Sequence, residues 1–273
     1  MAKGKPMISG SDLERNDALE KIKHVVIVMS GKGGVGKSTV SSNLAMTFAM
    51  KGFRTGIMDV DIHGPNIPKM FGLEDEQITV EDNKLIPVIA SHGLKVMSMA
   101  FLLPEKDAPV AWRGPVKMGA IRQFIEDVAW GELDYLVIDM PPGTGDEAIS
   151  IIQLIPKADG MVVVTTPQEV ALLDSRKSIV FSAQVNIPII GIVENMSGFI
   201  CPHCGERSDI FKTGGGERTA SEMGIQFLGR VPIEPNVVTS GDSGVPIVAA
   251  APDSASAKAF NEIAERVIRT VNS

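Results

Sequence analysis

Cysteine is scarce in this chain of 273 residues: there are two, Cys201 and Cys204. A disulfide framework is therefore excluded, and a close pair in a reducing compartment points to metal binding or redox work rather than a structural bridge. Positive charge is short as well. Lys and Arg number 26 against 33 Asp and Glu, a formal net charge of −7, which argues against a broad nucleic-acid footprint and leaves room for a small basic patch at most. No apolar run approaches a membrane span, and no signal-type apolar segment follows the N-terminus. Internal repeats and low-complexity tracts are absent too. These absences set the expectation of a cytoplasmic protein with neither membrane nor nucleic acid as partner, long enough for one α/β domain with a substantial core.

Glycine, by contrast, is concentrated where it has a chemical use. Gly31-Lys32-Gly33-Gly34-Val35-Gly36-Lys37-Ser38-Thr39 follows the apolar run Val25-Val26-Ile27-Val28-Met29 and fits the phosphate-loop pattern G-x-x-x-x-G-K-[ST]. Glycines let the backbone curl so that successive N–H groups point at phosphate oxygens. The start of the next helix, expected to be amphipathic over 38–50, adds free N–H groups and a positive dipole end. Lys37 reaches the β- and γ-phosphates, and the Ser38 hydroxyl is a ligand for Mg²⁺. A second lysine, Lys32, has no cradling duty left to perform. A positive charge there suits stabilisation of the transferred phosphoryl group, delivered to the nucleotide of a partner subunit.

Around this loop, strand-like runs at 24–30, 55–59, 134–139, 160–166, 187–194 and 225–230 alternate with helical patterns. The fold class expected is α/β, a mostly parallel sheet flanked by helices. Residues 1–23 read as a flexible extension carrying a short helix over 12–23, and 24–273 as the ATPase domain. The stretch 77–99 reads as a β-hairpin turning at Asp82-Asn83 on the sheet edge. A glycine-, cysteine- and charge-rich loop at 198–216 holds the metal ligands, and 255–271 reads as a core-facing helix.

Carboxylates stand where strands should end. Asp59 and Asp61 close one run, in the crevice where open α/β sheets bind ligands. Asp61 is the candidate for positioning or deprotonating the attacking water, and Asp59 for holding Mg²⁺-bound water. Tyr135-Leu136-Val137-Ile138-Asp139 is an apolar strand aiming a carboxylate at Mg²⁺, and the Pro-Pro-Gly-Thr-Gly turn after it suits a γ-phosphate sensor. Asp146 reads as a helix N-cap. Asn195 is placed to read an adenine edge through its amide, a position where an ordinary turn Asn looks the same.

Cys201-Pro202-His203-Cys204-Gly205 turns two thiolates toward one metal. A [4Fe–4S] cluster or a tetrahedral Zn²⁺ takes four ligands, and no other cysteine exists to complete the set. Two loops brought together in a two-fold dimer solve the shortage. The alternatives are a zinc site completed by His203 or His92, a thioredoxin-like redox pair, and an incidental loop.

The GKGGVGKS loop resembles the deviant Walker A motif of the MinD/ParA/nitrogenase-iron-protein class. Several segments together resemble the Mrp/ApbC family of P-loop ATPases over about 24–270: the loop itself, Met58 to Pro65, Trp112-Arg113-Gly114-Pro115, Asp139 to Asp146, Ala171 to Asp174, Glu194 to Ser197 with the cysteine pair, Val231 to Pro235 and Gly241 to Pro246. The resemblance implies a homodimeric carrier that binds ATP with Mg²⁺, hydrolyses it slowly and passes a [4Fe–4S] cluster to apoproteins. Adenine specificity, and Pro232 as part of the adenine pocket, are likewise implied by the family. The N-terminal four-cysteine region of the Nbp type and the extra N-terminal domain of many bacterial members are missing. Two other readings stand beside this one. A MinD/ParA-like ATPase that positions other molecules on membranes or DNA calls for a basic amphipathic tail or basic surface patches, whereas the last helix mixes Lys258, Glu262, Glu265, Arg266 and Arg269. A zinc-stapled ATP-binding scaffold is the third.

Overall fold

The computed structural model describes residues 17–102, 114–155, 157–201 and 203–273. The apolar runs form one eight-stranded sheet. Its strands are β1 (Ile22–Ser30), β2 (Thr55–Asp59), β3 (Val88–Ile89), β4 (Lys95–Ser98), β5 (Leu133–Asp139), β6 (Gly160–Thr165), β7 (Ile189–Glu194) and β8 (Phe227–Arg230), in the spatial order β8-β7-β6-β1-β5-β2-β4-β3. All neighbours pair in parallel except β3 with β4. Continuous runs rather than alternating ones are expected of such strands, because helices cover both faces. Val25 to Met29 are accordingly buried to 1% exposure or less.

The principal helices are α1 (Lys37–Met50), α2 (Gly114–Glu126), α3 (Asp146–Gln153), α4 (Glu169–Gln184), α5 (Gly215–Met223), α6 (Pro235–Asp242) and α7 (Ala255–Val271). Helix α7 is capped by the Ser254 side chain, which accepts the Ala257 N–H at 3.1 Å. It buries Phe260, Ile263, Ala264 and Val267 against α1 and the sheet. That contact corrects the expectation of an amphipathic α1. The helix lies between the sheet and the α7 layer, so Val40 to Ala49 are buried on every face.

Three boundaries also differ from expectation. Only one turn, Asp17–Glu20, is helical within the described part of 12–23, and β1 starts at Ile22, with Leu19 and Ile22 buried. Residues 17–23 therefore belong to the fold; 1–16 lie outside the described residues. Within 77–99, Thr79–Glu81 and Lys84–Ile86 pair as expected across Asp82 and Asn83, whose φ values of 48° and 60° fit a tight hairpin turn. That hairpin is a separate two-stranded sheet, however, and Lys95–Ser98 is a parallel strand of the main one. The stronger hairpin pattern beside it hid this strand. Trp112 and Arg113 lie outside the described residues. Among those described, no helix is long and apolar enough to cross a membrane.

Candidate nucleotide site and cysteine hairpin

The carboxyl ends of β1, β2 and β5 meet under the phosphate loop. Register pairs Val28 with Asp139 and Asp59 with Asp139, so three neighbouring strands end together. The loop leaves β1 past Gly31, where a Cβ would stand 2.3 Å from the Asp174 carbonyl of α4, and enters α1 at Gly36, which takes φ 82°. A Cβ at Gly36 would meet the Asn195 amide nitrogen at 2.1 Å. Only glycine fits either place. No side chain caps the start of α1, which leaves the first-turn N–H groups to an anion.

Lys37, Ser38, Thr39, Gly33, Gly34 and Gly36 line a cleft of about 360 Å³ together with Asp61, His63 and Pro142. The Lys37 ammonium lies 2.8 Å from Asp139 Oδ2 and 3.8 Å from Asp61 Oδ2. Asp139 is fully buried and also accepts the hydroxyls of Ser38 at 2.7 Å and Ser41 at 2.6 Å. Asp59 is equally buried. Its Oδ2 accepts Ser98 Oγ at 2.9 Å and the Ile67 N–H at 3.3 Å, and its Oδ1 the Asp61 N–H at 3.1 Å. Burial first, and the Asp139 charge second, push the Asp59 carboxyl up to about 8. Burial also raises Asp61, against the pull of Lys37, while its Oδ1 holds the N–H groups of His63 and Gly64. The oxygen donors Ser38, Asp139 and Asp59 are the hard ligand set that suits Mg²⁺.

Lys32 is not brought into this cleft. It is half-buried, its carbonyl accepts the Ser30 hydroxyl, and its side chain is not among those lining the cleft. Asn195 lies behind the loop and donates Nδ2 to the Val35 carbonyl at 2.9 Å, so its amide nitrogen is committed to the backbone rather than free for a base. Asp146 is not a cap: Gly145 holds that place and Asp146 is the first helical residue. Pro232 lines a second cleft of about 310 Å³ with Ile200, Ile233, Glu234, Pro235, Asn236 and Ala255.

The cysteines sit at the tip of a hairpin, Phe199–Ile200 paired with Arg207–Ser208. Cys201 gives its N–H to the Glu206 carbonyl at 3.0 Å and accepts that of Gly205 at 2.8 Å on its own carbonyl. Backbone N–H groups of Cys204 and then His203 point at its sulfur, with the Cys204 thiol behind them, and hold the Cys201 thiol below the usual range. Cys204 is exposed. No helix opens at the pair, as a thioredoxin-type motif requires. Among the described residues of one copy, no three or more His, Cys, Asp or Glu side chains are grouped so that they could hold a metal ion.

Several contributors went unread in the sequence. Ser41, one turn after Ser38, and Ser98, at the end of an unrecognised strand, fix the two buried carboxylates. Glu194 is fully buried and accepts Ser197 Oγ at 2.5 Å and the Gly214 N–H at 2.9 Å, together with the Gly216 N–H. It thereby ties the root of the cysteine hairpin to α5. An acid ending an apolar strand was the signal available.

Fold and site together define a phosphate-loop nucleotide-binding protein with an appended dithiol loop. The profile of the ParA group, described as NUBPL iron-transfer P-loop NTPase, matches residues 21–268. An iron-sulfur cluster carrier protein of Methanocaldococcus jannaschii is 49% identical, covering 98% of this chain and 91% of that one. The cytosolic Fe-S cluster assembly factor CFD1 of Kluyveromyces lactis is 52% identical over 81% of each. A nucleotide-binding protein of Archaeoglobus fulgidus in complex with ADP superposes with a TM-score of 0.74 at 44% identity, over 83% of this chain and 88% of the other. The cell division ATPase MinD of Pyrococcus furiosus shares the fold, with a TM-score of 0.68 at 23% identity over 90% and 99%. The chain belongs to the NUBPL iron-transfer P-loop NTPase family.

Proposed function

We propose that this protein is a cytosolic, homodimeric carrier that binds MgATP, hydrolyses it slowly, and holds a [4Fe–4S] cluster between the Cys201 and Cys204 thiolates of two copies for delivery to apoproteins. The observation that carries the reading is a two-thiol hairpin, short of four ligands, whose Cys201 follows by six residues the Asn195 that bonds the phosphate loop. The relatives named as cluster carriers and assembly factor support the cargo, and thiolates are the soft ligands that iron–sulfur clusters take.

In the nucleotide cleft, Lys37 and the α1 N–H groups bind the β- and γ-phosphates, and Ser38, Asp139 and Asp59 hold Mg²⁺ directly or through its water. The metal neutralises charge developing on the phosphates. Asp61 orients the attacking water. Of the Asn195 amide, the oxygen remains for an exocyclic amine, and Pro232 flanks the base. Lys32 does not line its own cleft, and Gly31 before it packs on Asp174 of α4, a helix on which Val170 and Leu173 stand 65% and 61% exposed. An apolar surface there fits a second copy, which receives Lys32 in trans. Mixing Lys32→Ala with Lys37→Ala subunits should therefore give more activity than either variant alone; hybrids that form without rescue count against delivery in trans.

Metal stoichiometry after anaerobic loading tests the carrier role. About four iron and four sulfide per dimer are expected, lost in Cys201→Ser or Cys204→Ser while ATP hydrolysis persists. One zinc per dimer with no cluster accepted overturns it in favour of a structural staple.

A further inference from the structure

Lys117, on α2, is not among the residues lining the phosphate cleft, yet its ammonium reaches His63, which does line it, and Glu147 in the first turn of α3. Nζ lies 2.7 Å from Glu147 Oε2 and 2.9 Å from His63 Nε2, and the His63 and Glu147 atoms are 3.5 Å apart. An ammonium carries donors only, so His63 accepts through Nε2 and keeps its proton on Nδ1. The Lys117 and Glu147 side chains are only 16% and 23% exposed. Glu147 Oε1 is buried without a hydrogen-bond partner among the described residues, which leaves Oε2 and its lysine to satisfy the carboxylate.

The chain positions of the two acceptors give the contact its consequence. His63 is two residues beyond Asp61, and its backbone N–H is one of the two that Asp61 Oδ1 holds. Glu147 is in the first turn of α3, directly after the turn that follows Asp139, and that turn is pinned to β1 by the Gly143 N–H on the Ser30 carbonyl at 2.8 Å. The Asp61 turn follows β2 and the first turn of α3 follows β5 through the Pro142–Gly145 turn, and Lys117 joins them from a third element. We infer that Lys117 is a positioning residue: through His63 and Glu147 it fixes the Asp61 turn relative to the Asp139 turn, and so the water-orienting carboxylate relative to the phosphate site. This rests on the hydrolysis proposed above. Binding of the phosphates, which depends on the loop and Lys37, does not need the bridge.

Two measurements on the full chain test it. Lys117→Met should lower kcat for ATP about tenfold or more, since small misplacements of an orienting group are costly, with KM changed less than about threefold. Lys117→Arg, which can donate to both acceptors, should recover most of the loss. A kcat equal to wild type in Lys117→Met, or a loss that Arg does not relieve, overturns the inference. Absence of turnover in the wild-type protein would instead be a failure of the hydrolysis reading. Amide exchange decides the inference in that event. In Lys117→Met, without nucleotide, the His63 and Gly64 amides should exchange about tenfold faster while those of Val137 and Ile138 in β5 stay unchanged. Unchanged exchange at 63 and 64, or acceleration throughout the sheet, overturns the positioning role.

Discussion

At the phosphate loop, Asp139 is buried with three partners, Lys37, Ser38 and Ser41, all carried by α1. At the cysteine hairpin, two strands of two residues each carry Cys201 and an exposed Cys204. On the proposed function, the contrast follows from what each region would handle. Orienting water against a phosphate demands atoms fixed by rigid elements. A cargo that must depart would be better held at a thin surface loop, where release disturbs no core. The segment from Glu194 to Cys201 joins the two: Asn195 grips the phosphate loop, Ser197 N–H bonds the Val231 carbonyl, and Gly198 accepts the Ile233 N–H at 2.7 Å beside the Pro232 cleft.

The largest separation of the two regions should come from Lys37→Ala. It removes the cation from beside Asp139 and Asp61, so ATP affinity should fall at least about 100-fold by titration and stability by about 3 kcal/mol. Cluster loading should survive where the protein folds. Asp61→Ala makes a narrower cut. Hydrolysis should drop about 100-fold while nucleotide affinity stays within a few-fold; equal loss of both would remove Asp61 from its assigned role.

Asn195→Ala probes the joint itself. Nucleotide affinity should weaken by about tenfold, in keeping with loss of one buried hydrogen bond worth about 1–1.5 kcal/mol. Any nucleotide effect on cluster release, followed by absorbance during transfer to an apo acceptor, should shrink as well. Nucleotide-dependent release that is unchanged in the variant would show that the signal travels by another route.

How much of this was legible in the sequence varied with the kind of signal. Gly31 to Thr39, Asp61 and Asp139 were readable because a fixed spacing reports a backbone shape and a strand end. Five of the parallel strands were readable because burial on both faces demands continuous apolar runs, and the edge strand Phe227–Arg230 was readable although only Leu228 of it is buried. Lys95–Ser98, also four residues long, was not, since its neighbours carried the stronger hairpin pattern. With it Ser98 was lost as the partner of Asp59. Lys117 and Glu147 were invisible for a different reason: their roles come from contacts across the fold, and a lone charge in a helix reads as solvated. Asn195 was readable as a special position, but the direction of its amide depended on how closely β7 approaches the phosphate loop.

The smallest expected effect concerns Asp59 and is read as a slope. Its native carboxyl is raised from 3.8 to about 8, first by burial and then by Asp139. Between those values the native protein keeps a proton that the unfolded chain has released, so stability without nucleotide falls as pH rises from about 4 toward 8. One such proton contributes at most about 1.4 kcal/mol per pH unit. Asp61, also raised, adds a slope of the same sign. Asp59→Asn should remove its share and leave that of Asp61. The amide cannot accept from both Ser98 and the Ile67 N–H on its nitrogen side, so the variant should be less stable at every pH by about 1–3 kcal/mol. Height is therefore the wrong readout. Urea unfolding midpoints collected from about pH 5 to pH 8 should converge toward the alkaline end, the wild type losing stability faster. Parallel curves would mean that Asp59 is ionised throughout and that Lys37 governs it more than burial does.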